Sequence, residues 1–310
     1  MLGKRNLGTR SALAAGVLAA AAVLVSPAAA TWQRHAAECG GSAVTIEGTP
    51  QDDVLVGTPG DDVIAASGGN DRVDGLSGHD VLCGGEGNDI LAGGTGDDWL
   101  SGDAGDDALD GGPGPYDAVA YVDAPGPVSV SLAAGTAMGW GSDTIMATEG
   151  AIGSPFADSL RGNAVGNYLD GRGRNDFISG AAGNDALDGD AGNDILRGDA
   201  GFDVVLYDYA PRGVTVNLAT GTASGWGADT VRRLEDAHGS QFGDRITGSA
   251  AGNIIRGHGG RDTILGRGGP DRLFGEAGRD VLDGGPGRDF LHGGAGRDVC
   301  VSGERRRSCA

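Results

Sequence analysis

The chain has 310 residues, 62 of them glycine, with 5% aromatic residues and a net charge of −20. So few large rings exclude a conventional globular core for a chain of this length, and 43 acidic against 23 basic residues argue against nucleic acid as a partner. The acid is nearly all aspartate, 36 residues against 7 glutamates, a bias that suits oxygen ligands for hard cations better than plain solubility.

The first element is residues 1–30. Lys4, Arg5 and Arg10 precede an apolar run, Ala12–Val25, and Pro27-Ala28-Ala29-Ala30 supplies small residues for cleavage after Ala30. This is the pattern of a secretory signal peptide. A retained membrane helix is the weaker reading, because a run of about 14 residues falls short of the roughly 20 that span a bilayer. No later run is long enough to cross. Cleavage removes three cations and leaves a secreted, extracellular chain of about −23. Helical periodicity is absent after residue 30, so the fold class is all-β.

Residues 31–47 form an N-terminal cap, and a nine-residue period begins at Gly48. It runs through a first block, 48–119, a second, 153–206, and a third, 239–301, giving 21 units. The first position is glycine in all but one unit, where it is Ala66. The sixth is Asp in all but two, Asn167 and Asn253, once one inserted residue is allowed in the unit at Gly111 so that Asp117 fills the slot. The eighth is Val, Leu or Ile in all but the last, where it is Cys300. Two connectors, 120–152 and 207–238, interrupt the period and match each other: VSLAAGTAMGWGSDT at 130–144 aligns with VNLATGTASGWGADT at 216–230. Val128–Leu132 and Val214–Leu218 alternate apolar and polar residues, which reads as strand. Residues 302–310 form a C-terminal cap.

Each unit has six glycine-rich residues and then a triplet with an apolar centre, such as Ile90-Leu91-Ala92. An extended triplet sends its middle side chain to one face and its neighbours to the other. Two triplets joined by two turns make an 18-residue coil whose eighth positions meet inside. Stacked coils, about 4.8 Å apart, then share a ladder of Leu, Ile and Val. Glycine serves turns whose backbone angles side chains forbid. Position-six aspartates line up along each edge of the stack, where they repel unless a cation joins them. Calcium, taking 6–8 oxygen ligands, is the cation that fits.

The units GGEGNDILA (84–92) and GGTGDDWLS (93–101) resemble the repeats-in-toxin (RTX), or hemolysin-type, calcium-binding nonapeptide GGxGxDxUx. The resemblance implies a calcium-stabilised parallel β-roll, with multiple Ca2+ ions held between turns by carbonyl oxygens and position-six carboxylates. Carried onto this chain, the metal ligands are Asp53, Asp62, Asp71, Asp80, Asp89, Asp98, Asp107 and Asp117 in the first block. In the second they are Asp158, Asp176, Asp185, Asp194 and Asp203, and in the third Asp244, Asp262, Asp271, Asp280, Asp289 and Asp298. The block-opening units at Gly48, Gly153, Gly162, Gly239 and Gly248 lack glycine at positions two and four and are expected to continue the coil without a full site.

The third block differs in charge. Residues 239–310 hold 9 acids and 11 arginines, against 18 acids and 2 arginines in 31–120. These arginines offset the carboxylate rows; a cationic face for an anionic surface is the rival reading. The cysteines sit at the two ends, so Cys39 is expected to bridge Cys83 and Cys300 to bridge Cys309. A zinc site from the four is a poor alternative, since paired C-x₂₋₄-C spacings are absent.

A catalytic constellation is missing. None of the five histidines lies in H-E-x-x-H, no G-x-S-x-G elbow occurs, and connectors of about 33 residues are too small to enclose a typical pocket. The sequence therefore points to a secreted calcium-binding structural, adhesive or surface-interaction module that folds on meeting extracellular calcium. Cell-surface or extracellular polymers are its expected partners, and its oligomeric state stays open. A secreted calcium-dependent hydrolase, or an appendage of one, is the alternative. A flat face for glycan, cell wall or ice lacks the outward Thr rows it needs.

Overall fold

The nine-residue period becomes a continuous two-sheet solenoid. The computed structural model describes residues 44–309. The leader expected at 1–30 and Cys39 lie outside them. Within them every regular element is a strand, most of them the triplet at positions seven to nine of a unit. Successive triplets alternate between a 15-stranded and a 17-stranded sheet. The ladders advance by one 18-residue coil: in the first sheet Ile64 lies opposite Leu82 and Leu82 opposite Leu100, and in the second Val73 lies opposite Leu91 and Leu91 opposite Leu109. All of these pairings are parallel, so the register that buries position eight in one coil buries it in the next.

The interior is a single file of aliphatic side chains. Ile64, Leu82, Leu91, Leu100, Leu109, Leu160, Leu169, Ile178, Leu187, Leu196, Leu273, Leu282 and Leu291 are all fully buried in one cluster. Cys300 continues that file in the last unit. Each coil contributes only two such residues, so the loss of one is felt locally. Leu187→Ala, deep in the second block, is expected to cost about 3 kcal/mol, read as a lowered urea midpoint in excess calcium.

The connectors do not break the stack. Strands Ser129–Ser131, Thr136–Met138 and Ser142–Met146 form an antiparallel meander, as the alternation at Val128–Leu132 predicts. Its last strand pairs in parallel with Ala108–Asp110 and its first with Ser159–Arg161, so the chain runs out and returns within the second sheet. Meanwhile Ala118–Ala120 pairs directly with Gly150–Ile152 in the first sheet. The second connector repeats this with strands Thr215–Asn217, Thr222–Ser224 and Ala228–Arg232.

The far end is closed by a cap. Strand Arg305–Arg307 pairs with the strand Phe290–Gly296, and its three side chains are exposed. Cys300 is joined to Cys309 with their Cα atoms 5.7 Å apart, which ties the tail to the last coil. Cys83 is also disulfide-bonded, and no described cysteine is free.

Candidate metal centre

The position-six aspartates form two carboxylate ladders, one along each edge of the stack. In each ladder Oδ1 accepts a hydrogen bond from the main-chain N–H of the position-six residue one coil earlier. Along one edge Asp71 accepts from Asp53 (2.7 Å), Asp89 from Asp71 (2.7 Å) and Asp107 from Asp89 (2.8 Å). Along the other Asp80 accepts from Asp62 (2.9 Å), Asp98 from Asp80 (2.9 Å) and Asp117 from Asp98 (2.8 Å). The same link places Asp176, Asp194, Asp185 and Asp203 in the second block, and Asp262, Asp271, Asp280, Asp289 and Asp298 in the third. One carboxylate oxygen is thereby spent on holding neighbouring coils in register.

The other oxygen divides the nineteen aspartates into two classes. In fifteen of them Oδ2 is buried without a hydrogen-bond donor: Asp71, Asp80, Asp89, Asp98, Asp107, Asp117, Asp176, Asp185, Asp194, Asp203, Asp262, Asp271, Asp280, Asp289 and Asp298. In Asp53, Asp62, Asp158 and Asp244 the oxygen is capped from within its own turn. Thr49, Thr58, Ser154 and Ser240 each donate a position-two N–H to Oδ2 at 2.5–2.7 Å; the hydroxyls of Thr49, Thr58 and Ser154 donate to the same oxygen, and that of Ser240 to Asp244 Oδ1. Asn167 and Asn253 are capped in the same way by Asn163 and Ser249. Asp62 falls in the capped class although its turn keeps glycine at position four, so Thr58 at position two is what decides.

The backbone at position two explains the division. It is left-handed in all fifteen open turns and in none of the six capped ones. Ten of those fifteen residues are not glycine, among them Leu76 (φ 74°), Arg172 (φ 68°) and Asp190 (φ 52°). The left-handed twist gives the N–H a different partner: Leu76, Arg172, Asp190 and Gly285 donate to Asp74, Asp170, Asp188 and Asp283, the position-nine aspartates just before them. A position-nine aspartate thus helps to keep Oδ2 free of donors. Position one behaves differently from expectation. Its glycines do not have the left-handed φ that would demand them; a Cβ on Gly84 would instead overlap Asp89 Oδ2.

The connectors contribute ladder members that the nonamer frame does not contain. Asp107 N–H donates to Asp143 Oδ1 and Asp117 N–H to Glu149 Oε2, both at 3.1 Å. Asp194 and Asp203 donate in the same way to Asp229 and Glu235. At the far end Asp289 donates to Glu304 at 2.5 Å. The second oxygen of Asp143 and of Asp229 receives the phenol proton of a buried tyrosine, Tyr121 or Tyr207, at 2.7 Å. The sequence signal for these residues is the internal match: Asp143 aligns with Asp229, Glu149 with Glu235 and Tyr121 with Tyr207.

Burial dominates the electrostatics of both classes, and it raises capped Asp158 and Asp244 as well as open aspartates. Burial beside like charges pushes Asp98 up to about 6, Asp80, Asp107 and Asp117 up to about 7, and Asp176 up to about 8. At capped Asp62 burial works in the same direction, but the donors at Thr58 and Thr45 outweigh it and lower its pKa. Buried carboxylate oxygens that face no proton donor are costly unless a cation joins them. The donor set is hard oxygen, with turn carbonyls close by, and it fits calcium.

A stack of parallel coils with acidic edges defines a class: a parallel β-roll whose edges are built for hard cations. The family model described as RTX calcium-binding nonapeptide repeat (4 copies) matches residues 47–82, 84–115, 170–205, 238–273 and 265–300, more than half of the chain. The chain belongs to this family and is a calcium-binding repeat protein. No curated protein matches it. Among the described residues no helix is long and apolar enough to cross a membrane.

Proposed function

We propose that this protein is an exported module whose β-roll folds on binding extracellular calcium, and that it serves as a structural or adhesive element at a surface. The observation that carries this reading is the set of fifteen buried Oδ2 atoms without donors, set against four capped ones. The fifteen are the proposed calcium ligands. Asp53, Asp62, Asp158 and Asp244 are proposed to continue the coil as closures that need no ion. Bound calcium supplies the positive charge and the oxygen-seeking coordination shell that the rows of carboxylates lack.

The chain's own residues account for the coupling between binding and folding. Each coil buries two aliphatic side chains, too few to offset the entropy of ordering 18 residues. Oδ1 of each ladder aspartate fixes the preceding coil only when the carboxylates of both can stay together. Folding free energy is therefore drawn from the ladder edges. In a compartment poor in calcium the chain stays expanded and competent for export.

The test is a calorimetric calcium titration of the purified protein with circular dichroism followed in parallel. Calcium is expected to convert a disordered spectrum to a β spectrum, and magnesium at equal concentration to leave it disordered. Asp89→Asn is expected to lower the number of ions bound, and Asp62→Asn to leave it unchanged. An equal response to magnesium, or an equal effect of the two substitutions, would overturn the reading.

A further inference from the structure

The second connector and the third block meet at a cluster of a different chemistry. Asp208 follows the strand Val204–Leu206, His238 ends the strand Asp236–His238, and His258 occupies position two of the turn after Ile254–Arg256. One ligand atom from each lies within 4.8 Å of the other two. His258 Nε2 is 2.5 Å from Asp208 Oδ1, and His238 Nδ1 is 3.7 Å from the same oxygen. The two imidazoles meet edge to face with centroids 5.3 Å apart. Between the coils of Asp208 and His258 the intervening turn carries Ser240, which is fully buried against Asp244 and leaves the outer side to the longer side chains.

We infer that Asp208, His238 and His258 form a site for a single first-row transition-metal dication of the zinc class, separate from the calcium ladders. Tetrahedral zinc, bound at about 2.0–2.2 Å by nitrogen and oxygen, sets its ligand atoms about 3.3 Å apart. The observed separations of 2.5 and 3.7 Å bracket that value. Two imidazoles and one carboxylate select zinc-like ions over calcium, which takes oxygen. The surroundings supply what such a site needs around its ligands. Glu276 Oε2 lies 3.1 Å from His258 Nδ1, the nitrogen that a metal at Nε2 leaves free, and Arg256 holds the other Glu276 oxygen at 3.1 Å. A carboxylate behind a ligating histidine fixes its tautomer and orientation.

An imidazolium of His258 between Asp208 and Glu276 would account for those two contacts alone. It gives no role to His238, which turns its Nδ1 to the same Asp208 oxygen. The internal match adds an independent point. The first-connector counterparts of Asp208, His238 and His258 are Val122, Ile152 and Arg172. All three ligand types are present in one copy and absent together from the other, so the cluster is not a by-product of the repeat. A metal here would tie the second connector to the block that follows it.

The test uses the full chain in excess calcium, so that the carboxylate ladders are saturated, and titrates zinc by calorimetry and cobalt by visible absorption. One zinc per chain is expected, with cobalt giving the ligand-field bands of a four-coordinate site with nitrogen ligands. Asp208→Asn and His238→Ala should each abolish both signals while the calcium-dependent β spectrum persists. Glu276→Gln should weaken zinc about tenfold without abolishing it. Absence of zinc binding by the unaltered protein, or binding that survives His238→Ala, would overturn the inference. The cobalt spectrum of the unaltered protein decides the matter even where a variant fails to fold.

Discussion

Removing divalent cations with a chelator at pH 8 should unfold the solenoid, taking the β spectrum to that of a disordered chain and the radius of gyration to about 60 Å. The reason lies in the carboxylates. Fifteen buried oxygens without donors sit in two rows, and burial raises many of the carboxyl pKa values to between about 6 and 8. Above pH 8 without metal nearly all of them are ionised, and each coil then carries an unpaired buried charge on both edges. The sign of the pH effect follows. A carboxyl whose folded pKa lies above its unfolded value of about 3.9 stabilises the folded state fully below that value, and the contribution is lost as pH rises through the folded pKa. Acidifying the chelated protein from pH 8 toward pH 5 should therefore restore part of the β signal, through a window centred near pH 7 set by Asp80, Asp107, Asp117 and Asp176. In excess calcium the same acidification should work the other way, since protons compete with the metal for the same oxygens. A chelated protein at pH 8 that stayed as compact and heat-resistant as the loaded one would refute the coupling.

The second large effect is expected from a single methyl group. Position four is glycine in fourteen of the fifteen open turns, Arg174 being the other residue. At Gly87 the backbone is left-handed (φ 129°), and a Cβ there would overlap the main-chain carbonyl oxygen of Gly69 in the coil before. That carbonyl cannot rotate away freely, because the Asn70 N–H in the same peptide plane is bonded to Asp52 Oδ1 one coil earlier. Gly87→Ala thus combines left-handed strain with a backbone clash and should cost about 3 kcal/mol or more. Its calcium midpoint should rise as well, since the turn belongs to Asp89. Gly126→Ala is the control: a Cβ there meets nothing within 4 Å. Urea denaturation in saturating calcium should separate the two clearly, and equal midpoints would sink the packing argument.

The coil was legible in the sequence because its period is short and its two constraints are chemical. Position eight must be aliphatic to fill the gap between sheets, and position six must carry an oxygen that reaches the N–H of the coil before it. Both constraints recur every nine residues, so Leu91, Leu100, Asp89 and Asp98 were identifiable without coordinates. The connectors were legible as strands, from the alternation at Val128–Leu132, but not as parts of the ladder. Asp143 and Glu149 sit outside the nonamer frame and reach their N–H partners from across an inserted meander. Their role was recoverable only from the fact that the second connector repeats them as Asp229 and Glu235. The open and capped classes were partly visible. Glycine at position two marks some open turns, but Leu76, Arg172 and Asp190 adopt the same left-handed backbone, which their residue types do not announce. Thr58 was hidden for the opposite reason: its turn otherwise has the glycine and aspartate of an open one.

The strand Arg305–Arg307 has a consequence for growth in the axial direction. A stack of parallel coils ends in unpaired amide and carbonyl groups, the template on which fibres polymerise. Here the last rung of the first sheet presents three exposed guanidinium groups and is anchored through Cys309, so a coil docking on that edge would have to pack its own side chains on fixed like charges. Crowded molecules thus meet a barrier at this edge against fusing end to end into filaments.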